Sequence, residues 1–242
     1  MVLVNLAKTK SIAHQIDPTS GDLDEVIQLY RQALNLRPFG HPDRSATLLQ
    51  LAQTLLFRYE KEGHNEADAD EINDLMIKPQ PFPDDTHERR AADLLLETLE
   101  RCRVVNSGSL AELNQLVWKL EQSAMMPPEG YFDIPQRLIN LSAALWRRYN
   151  QHSEPGDLDR LLDLNKRTLQ LLPGRHPDRL PVLRTLGSVL LKLFETRGDH
   201  DYLKQLISPS ENALQLIPEG HPERPYWVTS ELRPHHALLM HT

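Results

Sequence analysis

The sequence predicts an all-α, right-handed solenoid of about five helix-pair repeats, and three observations carry the prediction. Proline falls at Pro38, Pro83, Pro128, Pro173 and Pro218, a spacing of 45 residues without a slip. Leucine keeps the same period at Leu6, Leu51, Leu96, Leu141 and Leu186. No stretch sustains the apolar–polar alternation of a half-buried strand. With 18 prolines in 242 residues, the chance that four further positions on the period are all proline is roughly 3 in 100,000.

The chain opens inside a repeat, because Leu3, Leu6 and Ala7 align with Leu48, Leu51 and Ala52. Residues 1–20 are therefore read as half a repeat. Units of about 21–65, 66–110, 111–155 and 156–200 follow, then a truncated one over 201–242, all within one solenoid domain. In the first full unit, Gly21 to Glu25 opens a segment whose Val26, Ile27, Tyr30, Ala33 and Leu34 follow helical spacing, with acids at its start. That helix ends before Pro38. Gly40-His41-Pro42-Asp43-Arg44 then ends one helix and begins the next, with proline where a missing N–H matters least. The second helix carries Leu48, Leu51, Ala52, Leu55, Leu56 and Tyr59, and Gly63 stops it.

Later copies repeat the reading by column. Ile27, Ile72, Val117, Leu162 and Ile207 stay aliphatic, as a core-facing position requires. Ala7, Ala52, Ser142 and Gly187 are small where two helices would cross closely, and Glu97 breaks that column. An acid recurs after the proline turn at Asp43, Glu88, Asp133, Asp178 and Glu223, followed by Arg44, Arg89, Arg179 and Arg224, with Ile134 the exception. These arginines, with the five prolines, are assigned to the repeat joint, where pairing with acids of the adjacent repeat is expected. Each amphipathic pair must stack on its neighbours to bury its apolar side. Neither terminus carries a polar cap, so a place in a longer array or end-to-end self-association is expected.

Composition narrows the function. A content of 40% hydrophobic and 25% charged residues describes an ordinary folded chain. Cys102 is the only cysteine, which excludes an internal disulfide and a cysteine-rich zinc framework and favours a reducing, cytoplasmic setting. The apolar stretch Met1 to Ala7 is too short for a signal segment, and no run approaches the ~20 apolar residues of a membrane span. The net charge of -7 is concentrated: residues 60–100 hold 13 acidic and 4 basic side chains, which disfavours nucleic acid and leaves either a solvated face or a docking surface for a basic partner.

In the helix before Pro38, Ala33, Tyr30 and Val26 lie 5, 8 and 12 residues ahead of the proline, and the preceding helix carries Leu6-Ala7. This resembles the tetratricopeptide pattern, which later copies match at Leu51-Ala52, Leu141-Ser142, Leu186-Gly187, Ala213 and Pro218. The period of 45 exceeds that family's ~34, so longer inter-helix segments are expected. The phrase from Gly21 to Gly63 is similar to the long-period, kinesin-light-chain-like arrays of mushroom-forming basidiomycete fungi, and the resemblance covers nearly the whole chain. It implies a scaffold that binds a protein or peptide in a concave groove. The residue before each marker leucine would point into that groove: Asn5, Gln50, Leu95, Asn140 and Thr185, with Lys8, Gln53, Thr98, Ala143 and Ser188 beside them. Amides there could hydrogen-bond a peptide backbone. In the fungal arrays such repeats are often joined to a CHAT domain, so a sensor, spacer or oligomerisation segment of a larger signalling protein is the alternative.

Residues 66–86 depart most from the pattern. Glu71 and Lys78 occupy apolar or small positions, and Pro79, Pro81 and Pro83 shorten the helix. The second repeat is expected to be the least stable, unless its Pro-Gln-Pro-Phe-Pro loop is a specialised contact.

Candidate chemistry is sparse. His41-Pro42-Asp43, His176-Pro177-Asp178 and His221-Pro222-Glu223 resemble the J-domain tripeptide, but their recurrence at the joint reads as helix-start chemistry. Histidines one repeat apart would sit roughly 10 Å from each other, too far to share a metal, and His235, His236 and His241 read as a solvated tail. Cys102 stands between Arg101 and Arg103, which would favour the thiolate, leaving a cysteine-dependent enzyme as a third reading. No phosphate loop, paired-carboxylate signature or metalloprotease motif occurs. Trp118, Trp146 and Trp227 lack a repeated basic partner for base stacking. No enzymatic activity, cofactor, metal, nucleic acid or membrane is therefore expected.

Overall fold

The computed structural model describes residues 2–16, 22–77, 82–83, 86–125, 134–154, 156–220 and 224–229. They form the helices α1 (Val2–Ile16), α2 (Leu23–Asn35), α3 (Arg44–Lys61), α4 (Glu66–Ile77), α5 (His87–Ser107), α6 (Leu110–Met125), α7 (Ile134–His152), α8 (Asp157–Leu171), α9 (Arg179–Arg197) and α10 (Asp201–Leu216). A short helix, α11, covers 224–229. Among the described residues there is no strand.

Helix boundaries follow local chemistry. Asp22 caps α2, its Oδ1 accepting from the Asp24 N–H at 2.8 Å. At α6, Ser109 and Glu112 form a reciprocal capping box: the Ser109 N–H donates to Glu112 Oε2 at 2.7 Å and the Glu112 N–H to Ser109 Oγ at 3.4 Å. The column Gly63, Gly108, Ser153, Gly198 marks the ends of the second helices. Gly63 and Gly198 are left-handed there, at φ +102° and +71°, and Ser153 adopts the same region at φ 55°.

Packing divides the chain into two compact units, Met1–Ser107 with α1 to α5 and Gly108–Thr242 with α6 to α11. In the first, each helix packs on the next in sequence, and α5 packs on α3 as well as α4. Its core includes Val26, Ile27, Tyr30, Leu51, Ala52, Leu55, Tyr59, Ile72 and Leu99. A side chain buried as fully as Ile27 contributes about 2 kcal/mol. In the second unit α6 to α10 also pack consecutively, and α11 seats Trp227 against Leu183, Ala213 and Ile217.

The repeat columns acquire physical roles. Ala7, Ala52, Ser142 and Gly187 lie in the packed interior. A Cβ placed on Gly187 would stand 3.4 Å from Leu206 and 3.6 Å from Trp227. The residue before each described proline of the 45-residue column is buried: Arg37, Phe82, Leu172 and Ile217. Phe82 is thus a core plug of its own unit; Lys78, Pro79, Gln80 and Pro81 of the divergent stretch lie outside the described residues. The divergent α4 is the shortest of α1 to α10, at 12 residues.

Candidate functional site

The joints are the most regular part of the molecule. After α2, the His41 N–H donates to the Pro38 carbonyl and the Arg44 N–H to the His41 carbonyl, each at 3.0 Å; after α8, His176 with Pro173 and Arg179 with His176 repeat both bonds at the same length. Gly40 supplies φ +88° in the first turn. Histidine Nδ1 accepts from the second backbone N–H onward, at 3.1 Å from Asp43 and 3.3 Å from Asp178. This is a local cap on the helix start, as the recurrence of the tripeptide implied. The third copy, at 221–223, lies outside the described residues, as do Pro128 and His235, His236 and His241.

The joint arginines differ from expectation. Rather than bridging to acids of a neighbouring repeat, Arg179 Nη1 donates to the Leu169 and Leu172 carbonyls at 2.9 and 3.0 Å. Arg224 does the same to Leu214 and Ile217, and Arg44 to Leu34 and Arg37. A guanidinium satisfies the orphan carbonyls at the end of the preceding helix and complements its dipole. Arg89 is the exception, pairing with Asp93 one turn along α5 at 3.1 Å.

A second arginine column escaped sequence reading. Arg58, Arg103 and Arg148 are 45 residues apart. Arg58, on α3, forks onto buried Asp68 of α4, with Nε to Oδ2 at 2.9 Å, and also reaches Asp24 of α2. Arg148, on α7, forks onto buried Asp157 of α8 at 2.9 and 2.5 Å and donates to Asn114 of α6 at 2.8 Å. Each ties three consecutive helices, and the carboxylate fork holds both guanidinium pKa values above the usual arginine value. Arg103 reaches Glu66 at 2.7 Å and Asp70 at 3.5 Å.

The eight groove candidates are divided between the two units and differ in burial. Lys8, Gln50 and Gln53 come together with Ser11, Tyr30 and Thr54 around a recess of about 160 Å³ between α1, α2 and α3. Gln50 Oε1 is buried there without a hydrogen-bond partner. Tyr30 is buried, which raises the pKa of its phenol. Asn5 is exposed on α1. Thr98 is buried on α5 and bonds the Leu94 carbonyl at 2.8 Å. Asn140 is fully buried on α7, its Oδ1 accepting from Gln136 at 3.3 Å, because α6 and α8 both pack on α7. Thr185 and Ser188 are half-buried on α9. Thr98 and Asn140 are therefore interior residues rather than open groove positions.

Cys102 is a buried thiol. It donates to Glu60 Oε1 at 3.0 Å, with Arg101 Nη2 3.2 Å from the sulfur. Burial pushes its pKa up to about 12, outweighing the opposing pull of Arg101, and Glu60 pushes it the same way. Arg103 is directed to Glu66 and Asp70. The thiolate favoured by the flanking arginines is thus not the stable form.

Among the described residues no group of three or more histidine, cysteine, aspartate or glutamate side chains could hold a metal ion. None of the described helices is long and apolar enough to cross a membrane. No family model matches the sequence, and neither the curated proteins nor the solved structures give a match.

Proposed function

We propose that the chain is a tetratricopeptide-like, right-handed α-solenoid that binds a peptide or protein partner in the cytoplasm. The 45-residue period and the matching bonds at the joints support like helix pairs stacked in series. The observation that carries the binding reading is the recess at Gln50, where an unpartnered amide oxygen stands in a cavity also lined by Gln53 and Lys8. An acceptor buried without a partner carries a desolvation penalty of roughly 1–3 kcal/mol, which a ligand N–H would relieve. Selection of a displayed random-peptide library on the wild-type chain and on a Lys8→Ala, Gln50→Ala, Gln53→Ala variant tests this. Sequences enriched on the wild type should lose about tenfold or more in affinity for the variant, since two or three hydrogen bonds are removed. Equal enrichment on both would remove the recess from the proposal.

A second reading, self-association through the first helix, rests on a separate observation. Val2 and Leu6 are 80% and 43% exposed, whereas Thr47 and Leu51, one repeat later, are buried. Val2→Glu with Leu6→Glu should abolish any dimer seen by sedimentation; a monomer in the wild type at high concentration removes this reading. Under this second reading the chain would be a sensor, spacer or oligomerisation segment of a larger signalling protein.

A further inference from the structure

Two buried polar groups without partners line the recess between α1, α2 and α3. Gln50 Oε1 is one. The other is the Tyr30 hydroxyl: the residue is only 2% exposed, and it makes no hydrogen bond to any described residue. A buried tyrosine hydroxyl usually finds a partner. Elsewhere in the same unit buried Thr47, Asp68 and Thr98 all have one. Within the recess Thr54 is committed, its Oγ1 donating to the Gln50 backbone carbonyl at 2.8 Å. Ser11, on α1, lines the same space.

The two groups ask for different things. An amide oxygen only accepts, so an occupant must donate to Gln50, whereas the Tyr30 hydroxyl can donate to an acceptor. One peptide unit cannot serve both from the same side, because a trans amide points its N–H and C=O in opposite directions. A primary carboxamide carries both at one end. The space, about 160 Å³, is smaller than the cavities that enclose whole small molecules and suits one side chain. A carboxylate would set an acceptor against the Gln50 acceptor. Lys8 would attract it, but Lys8 is exposed on α1, where water and salt screen its charge. The mismatch at the buried oxygen is therefore the larger effect.

We propose that the recess takes the side-chain carboxamide of a glutamine or asparagine in a partner protein, its NH2 donating to Gln50 Oε1 and its carbonyl accepting from the Tyr30 hydroxyl. This rests on the reading of the recess as a peptide site and names the residue type it selects. Gln53 and Lys8, both exposed, remain for the backbone on either side of that residue.

The probes are three pentapeptides, Ala-Ala-X-Ala-Ala with X glutamine, glutamate or leucine, acetylated and closed with an N-methylamide so that only X can carry a primary carboxamide. Each is titrated against the full chain and followed by NMR. The glutamine peptide should shift the Gln50 and Tyr30 signals saturably and bind about tenfold or more tightly than the other two. Tyr30→Phe, which keeps the buried ring, and Gln50→Ala should each reduce that preference, with circular dichroism confirming the helices. Gln50→Glu keeps an acceptor at the site and should keep the glutamine peptide while rejecting the glutamate one. The proposal is overturned if the glutamate or leucine peptide binds as tightly as the glutamine one, if no peptide saturates, or if Tyr30→Phe leaves the preference intact. Loss of the glutamine peptide with Gln50→Glu would also overturn it, since residue 50 would then be donating. Library peptides that depend on Lys8, Gln50 and Gln53 yet share no glutamine or asparagine would sink this inference and leave the peptide-binding reading standing.

Discussion

The pairs α8–α9 and α4–α5 occupy equivalent stretches of the repeat, and they close their corners differently. After α8, Leu172 plugs the corner, His176 caps the new helix and Arg179 holds the last carbonyls of α8. After α4, Phe82 still plugs the corner, but Thr86 takes over the helix start, its Oγ1 accepting from the Arg89 N–H at 3.1 Å, and the Arg89 side chain turns to Asp93. The plug persists even at the first joint, where Arg37 is buried and donates to the Asp43 carbonyl at 3.2 Å and to Thr47 Oγ1. A filled corner is thus the indispensable part of the joint, whereas the means of capping its two helices can change.

The most severe way to probe the comparison is through the clamp that both halves retain. Asp157→Ala and Asp68→Ala each strand a largely buried guanidinium, and each should lower the unfolding free energy by about 3 kcal/mol or more, measured by urea denaturation. A severe Asp157→Ala beside a mild Asp68→Ala would mean that α4 is already loosened. Next, Arg179→Ala removes two charged hydrogen bonds to backbone and should cost about 2 kcal/mol, whereas Arg89→Ala breaks an exposed pair one turn apart and should cost less than about 0.5 kcal/mol. Equal losses would erase the distinction between the joints. Ser153→Gly relieves a left-handed serine and should raise stability by about 1 kcal/mol, while Gly198→Ser should lower it by a similar amount. For Gly187→Ala a gain of only about 0.5 kcal/mol in helix stability is expected, because the added methyl meets Leu206 at an ordinary contact distance. A loss in thermal melting would show that the α9 packing tolerates no further approach.

The period made the helices, the corners and most of the core legible, because each depends on residues within one repeat: Pro38 with Gly40, Ile27 with Tyr30, Leu51 with Ala52. The clamp was legible by half. Arg58 and Arg148 share a column, but their carboxylates lie 10 and 9 residues further on, Asp68 as the third residue of α4 and Asp157 as the first of α8. The periodic table of columns therefore contains the cation and misses the anion. Two of the groove candidates, Thr98 and Asn140, are enclosed for another reason. Asn5 and Asn140 share a column, yet α7 is flanked by α6 and α8, so the same position that is exposed on α1 is enclosed on α7. The rise of the Cys102 pKa came from burial and Glu60, 42 residues away in sequence, which adjacent arginines do not report.

The bonds that close the α2–α3 bend join groups no more than ten residues apart, those from Arg44 to the Leu34 carbonyl and from Arg37 to Thr47 spanning the full ten. Such a hairpin needs only a small loop-closure entropy and no distant strand of chain to complete it. It can set as soon as its own residues are available, which makes each corner a local seed for folding rather than a product of the finished molecule.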